Sequence, residues 1–191
     1  MDDEQQLSYQ RWYDKHQTVS KSVKLLETFP EEIQVIISEG IVRLAIRECQ
    51  ANELMDNLRS LGPEKVLGIF KSKNKRRSYD NNSTVHQAMN YLYIMTDENR
   101  LFIAGQVIEI VNFIYEYLKE CKKFKMSAQL EDVSSITQAY IESGSDEARR
   151  LLAGIQQRFT SKVSERSVGN DEFLSEDQKG LKIREDWFRT L

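Results

Sequence analysis

The sequence is poor in the residues that interrupt helices. Proline occurs twice, at Pro30 and Pro63, among 191 residues. Proline removes a backbone donor and clashes with the preceding helical turn, so its scarcity leaves long stretches free to coil. Cysteine is equally sparse, with only Cys49 and Cys121, both in apolar, helix-like surroundings. One disulfide is arithmetically available, but a disulfide-dense secreted framework is excluded. The two histidines, His16 and His86, stand 70 residues apart, and neither belongs to a CxxC, HExxH or Glu-x-x-His pattern. A structural zinc site wants four clustered nitrogen or sulfur ligands, and a helical di-iron site wants Glu-x-x-His on two helices. No metal and no cofactor are therefore expected, and His16 reads as an edge-of-core histidine.

Nucleophile and nucleotide signatures are missing too: there is no GxSxG elbow, P-loop or GxGxxG. Glu109, Glu116 and Glu120 share one segment without a histidine partner, and they read as a solvated face. Both cysteines read as small buried residues, a common core use of the free thiol. The expectation is a protein that is not an enzyme.

Nor is there a long hydrophobic run. The richest, LFIAGQVIEIVNFIYEYL, is broken by Gln106, Glu109, Asn112 and Glu116, whereas a membrane span needs roughly 18 nearly uninterrupted apolar residues. MDDEQQLSYQ has no positive region followed by an apolar one, so no secretory signal is expected at the start. These features predict a cytoplasmic protein with reduced thiols and no membrane contact. Charged residues make up 30% of the chain, yet the net charge is only −3. That balance excludes a wholly basic, backbone-hugging protein, so any attraction for polyanions has to be local.

What is present is helical spacing. Trp12, His16, Val19, Val23 and Leu26 fall at fours and threes, predicting one helix from about Gln5 to Glu27. The Phe29-Pro30 junction ends it, and Pro30, Glu31 and Glu32 suit the start of the next helix. That second segment runs to Gly62-Pro63. Its apolar residues cover more than one face around 33–46, which predicts a central helix with neighbours on two sides. EKVLGIF reads as a short helix or turn folding back on the core.

Ser83 or Thr84 is expected to cap a helix from Val85, and TDENR to form a connection or a wet turn. From Leu101 the pattern is strongest: Leu101, Ile108 and Tyr115 recur every seven residues, as do Ala104, Val111 and Leu118. Helices follow over 127–140 and after Ser145. Beyond Ser164 the polar, charge-rich SERSVGNDEFLSEDQKG loses periodicity and is expected to stay unfolded. The predicted architecture is all-α. A compact multi-helix bundle over 1–163 is joined to a mostly disordered tail, 164–191, that ends in the short amphipathic LKIREDWFRTL.

Three features bear on partners. KSKNKRRSYDNNST carries Lys71, Lys73, Lys75, Arg76 and Arg77 within seven residues. It reads foremost as a flexible, solvated loop. As a phosphate contact it would steepen salt dependence by about 0.9 per phosphate in the log-log slope, but only Tyr79 is at hand for stacking. Second, Asn112 interrupts an apolar stripe, with Gly105 seven residues before it and Phe113, Tyr115 and Tyr117 after it. Asn112 reads foremost as the edge of an intramolecular bundle, or else as a polar residue that fixes register or oligomeric state, and one of these aromatics is expected to face a further helix or another subunit of a homodimer. Third, Leu181, Trp187, Phe188 and Leu191 are able to share one side of a short terminal helix, expected either to dock in a partner's groove or to dock on the chain's own domain. The expectation is a non-enzymatic protein-protein interaction or regulatory protein. Its alternative is a nucleic-acid-associated regulator using residues 71–77.

Overall fold

The computed structural model describes residues 11–48, 54–67 and 81–168. The described residues form helices and their connections, with no β-strand among them, so the all-α bundle read from the sequence is the fold. A 3-10 turn, Trp12–Lys15, leads into α1 (Gln17–Glu27), α2 (Glu31–Glu48), α3 (Leu54–Leu61) and α4 (Pro63–Val66). Then follow α5 (Ser83–Ile94), α6 (Asp97–Lys123), α7 (Leu130–Ser143) and α8 (Ser145–Val168).

Helix α6 is the axis. Its 27 residues span about 40 Å at 1.5 Å per residue. By length and composition alone it could cross a membrane, yet more than half of its most apolar window is buried against other helices, as a core helix requires. Helices α1, α2, α7 and α8 all pack on it. Ile103, Ala104, Val107, Ile110, Val111, Ile114 and Leu118 are fully enclosed. Of the two heptad rows, Ala104–Val111–Leu118 forms the core. The other starts outward, with Leu101 exposed and Ile108 half-buried, and ends in the core at Tyr115.

As expected, α2 is a two-sided helix: α5 and α7 pack on it, and it also touches α6. Close approach to α7 depends on Gly40, where an added Cβ would lie 2.8 Å from Ile141 Cδ1 and 3.2 Å from Thr137 Cγ2. The neighbouring cleft, which Arg43, Ser134 and Gln138 help to line, has room for about one water.

Among the described residues, the expected second segment forms two helices, α2 and α3, α6 starts at Asp97 within TDENR, and four further boundaries differ from expectation. The first helix is broken, because His16 is extended (φ −123°, ψ 119°) between the 3-10 turn and α1. A straight helix holding the Trp12–Leu26 stripe inward would leave Tyr13 off that face. The break buries Tyr13 instead and sets it edge-on to Trp12, ring centroids 5.4 Å apart. Second, Asn82, not Ser83 or Thr84, caps α5: its side chain accepts from the Thr84 and Val85 amides and donates to Glu31 at the start of α2. Third, Gly144 alone joins α7 to α8, at φ 84° and ψ −172°, a conformation open essentially only to glycine. Fourth, α8 continues to Val168, and residues 160–165 stand exposed past the last core contact at Phe159.

The Gly40 contact generates a prediction. Gly40→Val should overpack the α2–α7 crossing and cost about 2 kcal/mol, whereas Gly154→Ala, on open α8 surface, should be neutral or slightly stabilising. Thermal unfolding followed by circular dichroism reads both. Equal Tm values would remove the close-approach role given to Gly40.

Candidate functional site

Every helix ends with carbonyls that lack a partner along the helix. At the end of α5 one side chain supplies the partners. Met95 leaves the helix in an extended conformation, Thr96 caps α6 by accepting from the Asn99 amide, and Arg100 reaches back. Its Nε donates to the Leu92 carbonyl at 2.8 Å, and a terminal nitrogen donates to the Tyr93 and Met95 carbonyls at 2.9 and 2.6 Å. Its other terminal nitrogen pairs with Asp97, which also lies 3.3 Å from His16 Nε2. The Trp12 ring covers the guanidinium, 5.6 Å from its centroid. A cation here also meets the negative end of the α5 dipole. The ends of four elements are thus tied at one point: the 3-10 turn, α1, α5 and α6.

Beside this tie, at the end of α5 and the start of α6, three large apolar side chains stand exposed. Tyr93 is 55% exposed and meets Trp12 edge-on, ring centroids 5.5 Å apart. Phe102 is 51% exposed and Leu101 38%. Large aromatics left in water on a rigid support are the usual anchors of protein recognition. The sequence reading passed over this corner. Its only trace there is Arg100 ending TDENR, directly before Leu101 and Phe102.

The residues singled out from the sequence separate into two sets. Asn112 is exposed on the outer side of α6. Phe113, Tyr115 and Tyr117 are buried, and of the two expected neighbours, a further helix or another subunit, they meet the first. Phe113 lies against Tyr140 of α7. Tyr115 stacks on Phe29 at 4.8 Å, and its hydroxyl is hydrogen-bonded to that of Thr28 at 2.7 Å. The Tyr117 hydroxyl donates to Asp132, accepts from the Gln129 amide, and its ring lies beside Phe159 of α8. Lys71, Lys73, Lys75, Arg76 and Arg77, the terminal Leu181, Trp187, Phe188 and Leu191, and Cys49 lie outside the described residues.

The interior offers little reactive chemistry. Burial pushes the Cys121 thiol up to about 11 and raises the Tyr117 and Tyr140 phenols well above their ordinary value, so all three are protonated near neutrality. His16 meets Asp97 at the bundle edge, and His86 is buried on α5. Among the described residues, no three His, Cys, Asp or Glu side chains converge as metal ligands would. What the fold and corner define is an α-helical bundle, wrapped around one long apolar helix, that presents an aromatic corner. No known protein family, curated protein or solved structure matches the chain.

Arg100→Ala strands three carbonyls and should cost about 3 kcal/mol, roughly 6–12 °C in Tm. Arg100→Lys should restore little, since one ammonium cannot reproduce the planar fork; full rescue by lysine would reduce the tie to simple charge.

Stability should also fall at high pH. The unfolded chain releases the thiol proton near 9 and the phenol protons near 10, while the folded chain holds them longer. From about pH 9 upward the unfolded state therefore binds fewer protons, and stability drops with rising pH. Urea titrations of the wild type from pH 7 to 10.5 should show a plateau and then a decline, beginning later in Cys121→Ala. A decline of unchanged onset in that variant would remove Cys121 from the account.

Proposed function

We propose that this chain is a non-enzymatic protein-protein interaction module of a regulatory or adaptor kind, acting in the cytoplasm. It would receive another protein on the helical surface at the α5–α6 corner. The observation that carries this reading is the exposure of Tyr93 and Phe102 beside the Arg100 tie. Surface aromatics supply large contact area at low entropic cost, and a corner fixed by four backbone and side-chain bonds loses little further freedom on binding. The terminal peptide with Trp187 and Phe188 offers a second contact, argued from sequence alone. The alternative, a nucleic-acid-associated regulator using residues 71–77, rests on the five cations of that stretch.

A photo-crosslinking residue placed at 102 in the full chain, used in the source cell, tests the reading. A specific protein adduct that Tyr93→Ser diminishes severalfold, with Tm and helicity unchanged, is the expected result. Recovery of nucleic acid instead, lost when Lys71, Lys73, Lys75, Arg76 and Arg77 are neutralised, would transfer the function to the basic stretch.

A further inference from the structure

We infer that the corner is covered in the resting chain by the chain's own residues 5–10, which another protein must displace in order to dock. This cover regulates the docking surface proposed above, and so rests on that reading. It follows from where the chain enters the fold. Residues 1–10 precede the described residues, and Arg11, the first of those, is extended (φ −69°, ψ 153°). Next comes Trp12, whose ring meets both Tyr93 and the Arg100 guanidinium. The preceding segment is therefore anchored at the corner itself.

Tyr9 stands about 10 Å of extended chain before Trp12, and Leu7 about 17 Å, a reach that takes in Tyr93 and the start of α6. Side chains two apart in an extended run share a face. Continued in the form that Arg11 takes, the segment turns Leu7 and Tyr9 together toward Tyr93, Leu101 and Phe102. The residues around them, Gln5, Gln6, Ser8 and Gln10, carry no charge. No carboxylate of the covering stretch thus approaches Asp97 or Glu98, and Asp2, Asp3 and Glu4 fall beyond it.

Tethering selects this occupant. A segment attached beside its site acts at an effective concentration of about 1 mM, far above that of a second copy or a partner at micromolar levels. The other apolar segment, 181–191, leaves from the opposite end of the bundle. Tyr140 meets Glu109 while Gln129 meets Tyr117, so α7 is antiparallel to α6, and α8, returning through Gly144, is parallel to it. Phe159 accordingly lies against Phe124, and α8 continues to Val168. At 1.5 Å per residue that puts the end of α8 about 45 Å from Phe102. Even as a free coil, the stretch from there to Trp187 would span only about 24 Å.

The test uses the full chain with benzoylphenylalanine at 102. Irradiated pure at about 1 and about 100 μM, it should form an internal adduct of monomer mass. Peptide mass spectrometry should map that adduct to residues 5–10, in equal yield at both concentrations, as an intramolecular contact requires. Leu7→Ser combined with Tyr9→Ser should lower the yield about fivefold with Tm unchanged. In the source cell the same double variant should raise the heterologous adduct at 102 by about threefold to tenfold, because the open surface is then the more populated state.

An adduct that maps elsewhere in the chain, one of dimer mass that grows with concentration, or yields indifferent to the double substitution overturn the proposal. A heterologous adduct in the cell with no internal one in the pure chain also rejects the cover, while leaving the docking surface standing. An internal adduct at 5–10 with no heterologous adduct even from the double variant keeps the cover and rejects the docking reading instead.

Discussion

The structure depends on covering α6. Over Ile103 to Leu118 this helix is apolar on far more than the stripe a surface helix carries, and burial of such surface is worth about 25 cal/mol per Å². One neighbour cannot cover it. The chain runs α1 alongside it, folds α7 back against it through the turn at 124–129, and returns α8 from the single-residue Gly144 link. Helix α2 fills the remaining side and hands its own second face to α5. Most other features of the fold are consequences of how closely these partners approach and in what register.

Register is set by polar groups at the ends of contacts, since apolar packing alone tolerates sliding. Thr28 meets Tyr115 where α1 ends, and His16 meets Asp97 where it begins, so α1 and α6 run parallel with both ends pinned. Asp132 does the same for α6, α7 and α8 together, accepting from the Tyr117 hydroxyl while pairing with Arg158. These bonds contribute about 1 kcal/mol each, somewhat more where a charge takes part. Their larger effect is specificity, because a slipped helix would leave the buried Tyr117 hydroxyl without a partner.

Helices with a strong local pattern were legible in the sequence. Val19, Val23 and Leu26 lie on the buried side of α1 as their spacing implied, and Gly62-Pro63 marks the end of α3. The two-sided character of α2 was visible in the breadth of its apolar positions. What escaped was whatever depends on atoms distant in the chain. Nothing near Tyr13 announces that the first helix must bend at His16 to bury it. Asn82 outcompetes Ser83 as a cap because its longer side chain bonds the helix amides and Glu31 at once, and Glu31 lies 51 residues away. The aromatics of FIYEYL announced that they needed neighbours, but Phe29, Tyr140 and Phe159 come from the α1–α2 connection, α7 and α8.

The corner of Tyr93 and Phe102 illustrates the same limit from the other side. Both residues would suit a core, and an apolar pattern cannot distinguish a residue that finds cover from one that does not. Arg100 decides the outcome. By engaging the last carbonyls of α5 it fixes the angle at which α5 meets α6, and at that angle Tyr93, Leu101 and Phe102 open toward water. An arginine that satisfies backbone groups can be read as purely structural, and within a single chain that is its whole effect. What bears on the proposed docking role is what it leaves uncovered. Flexible exposed aromatics would collapse onto the nearest apolar surface, whereas a tied corner keeps them apart, and only a surface that cannot bury itself stays available to something else.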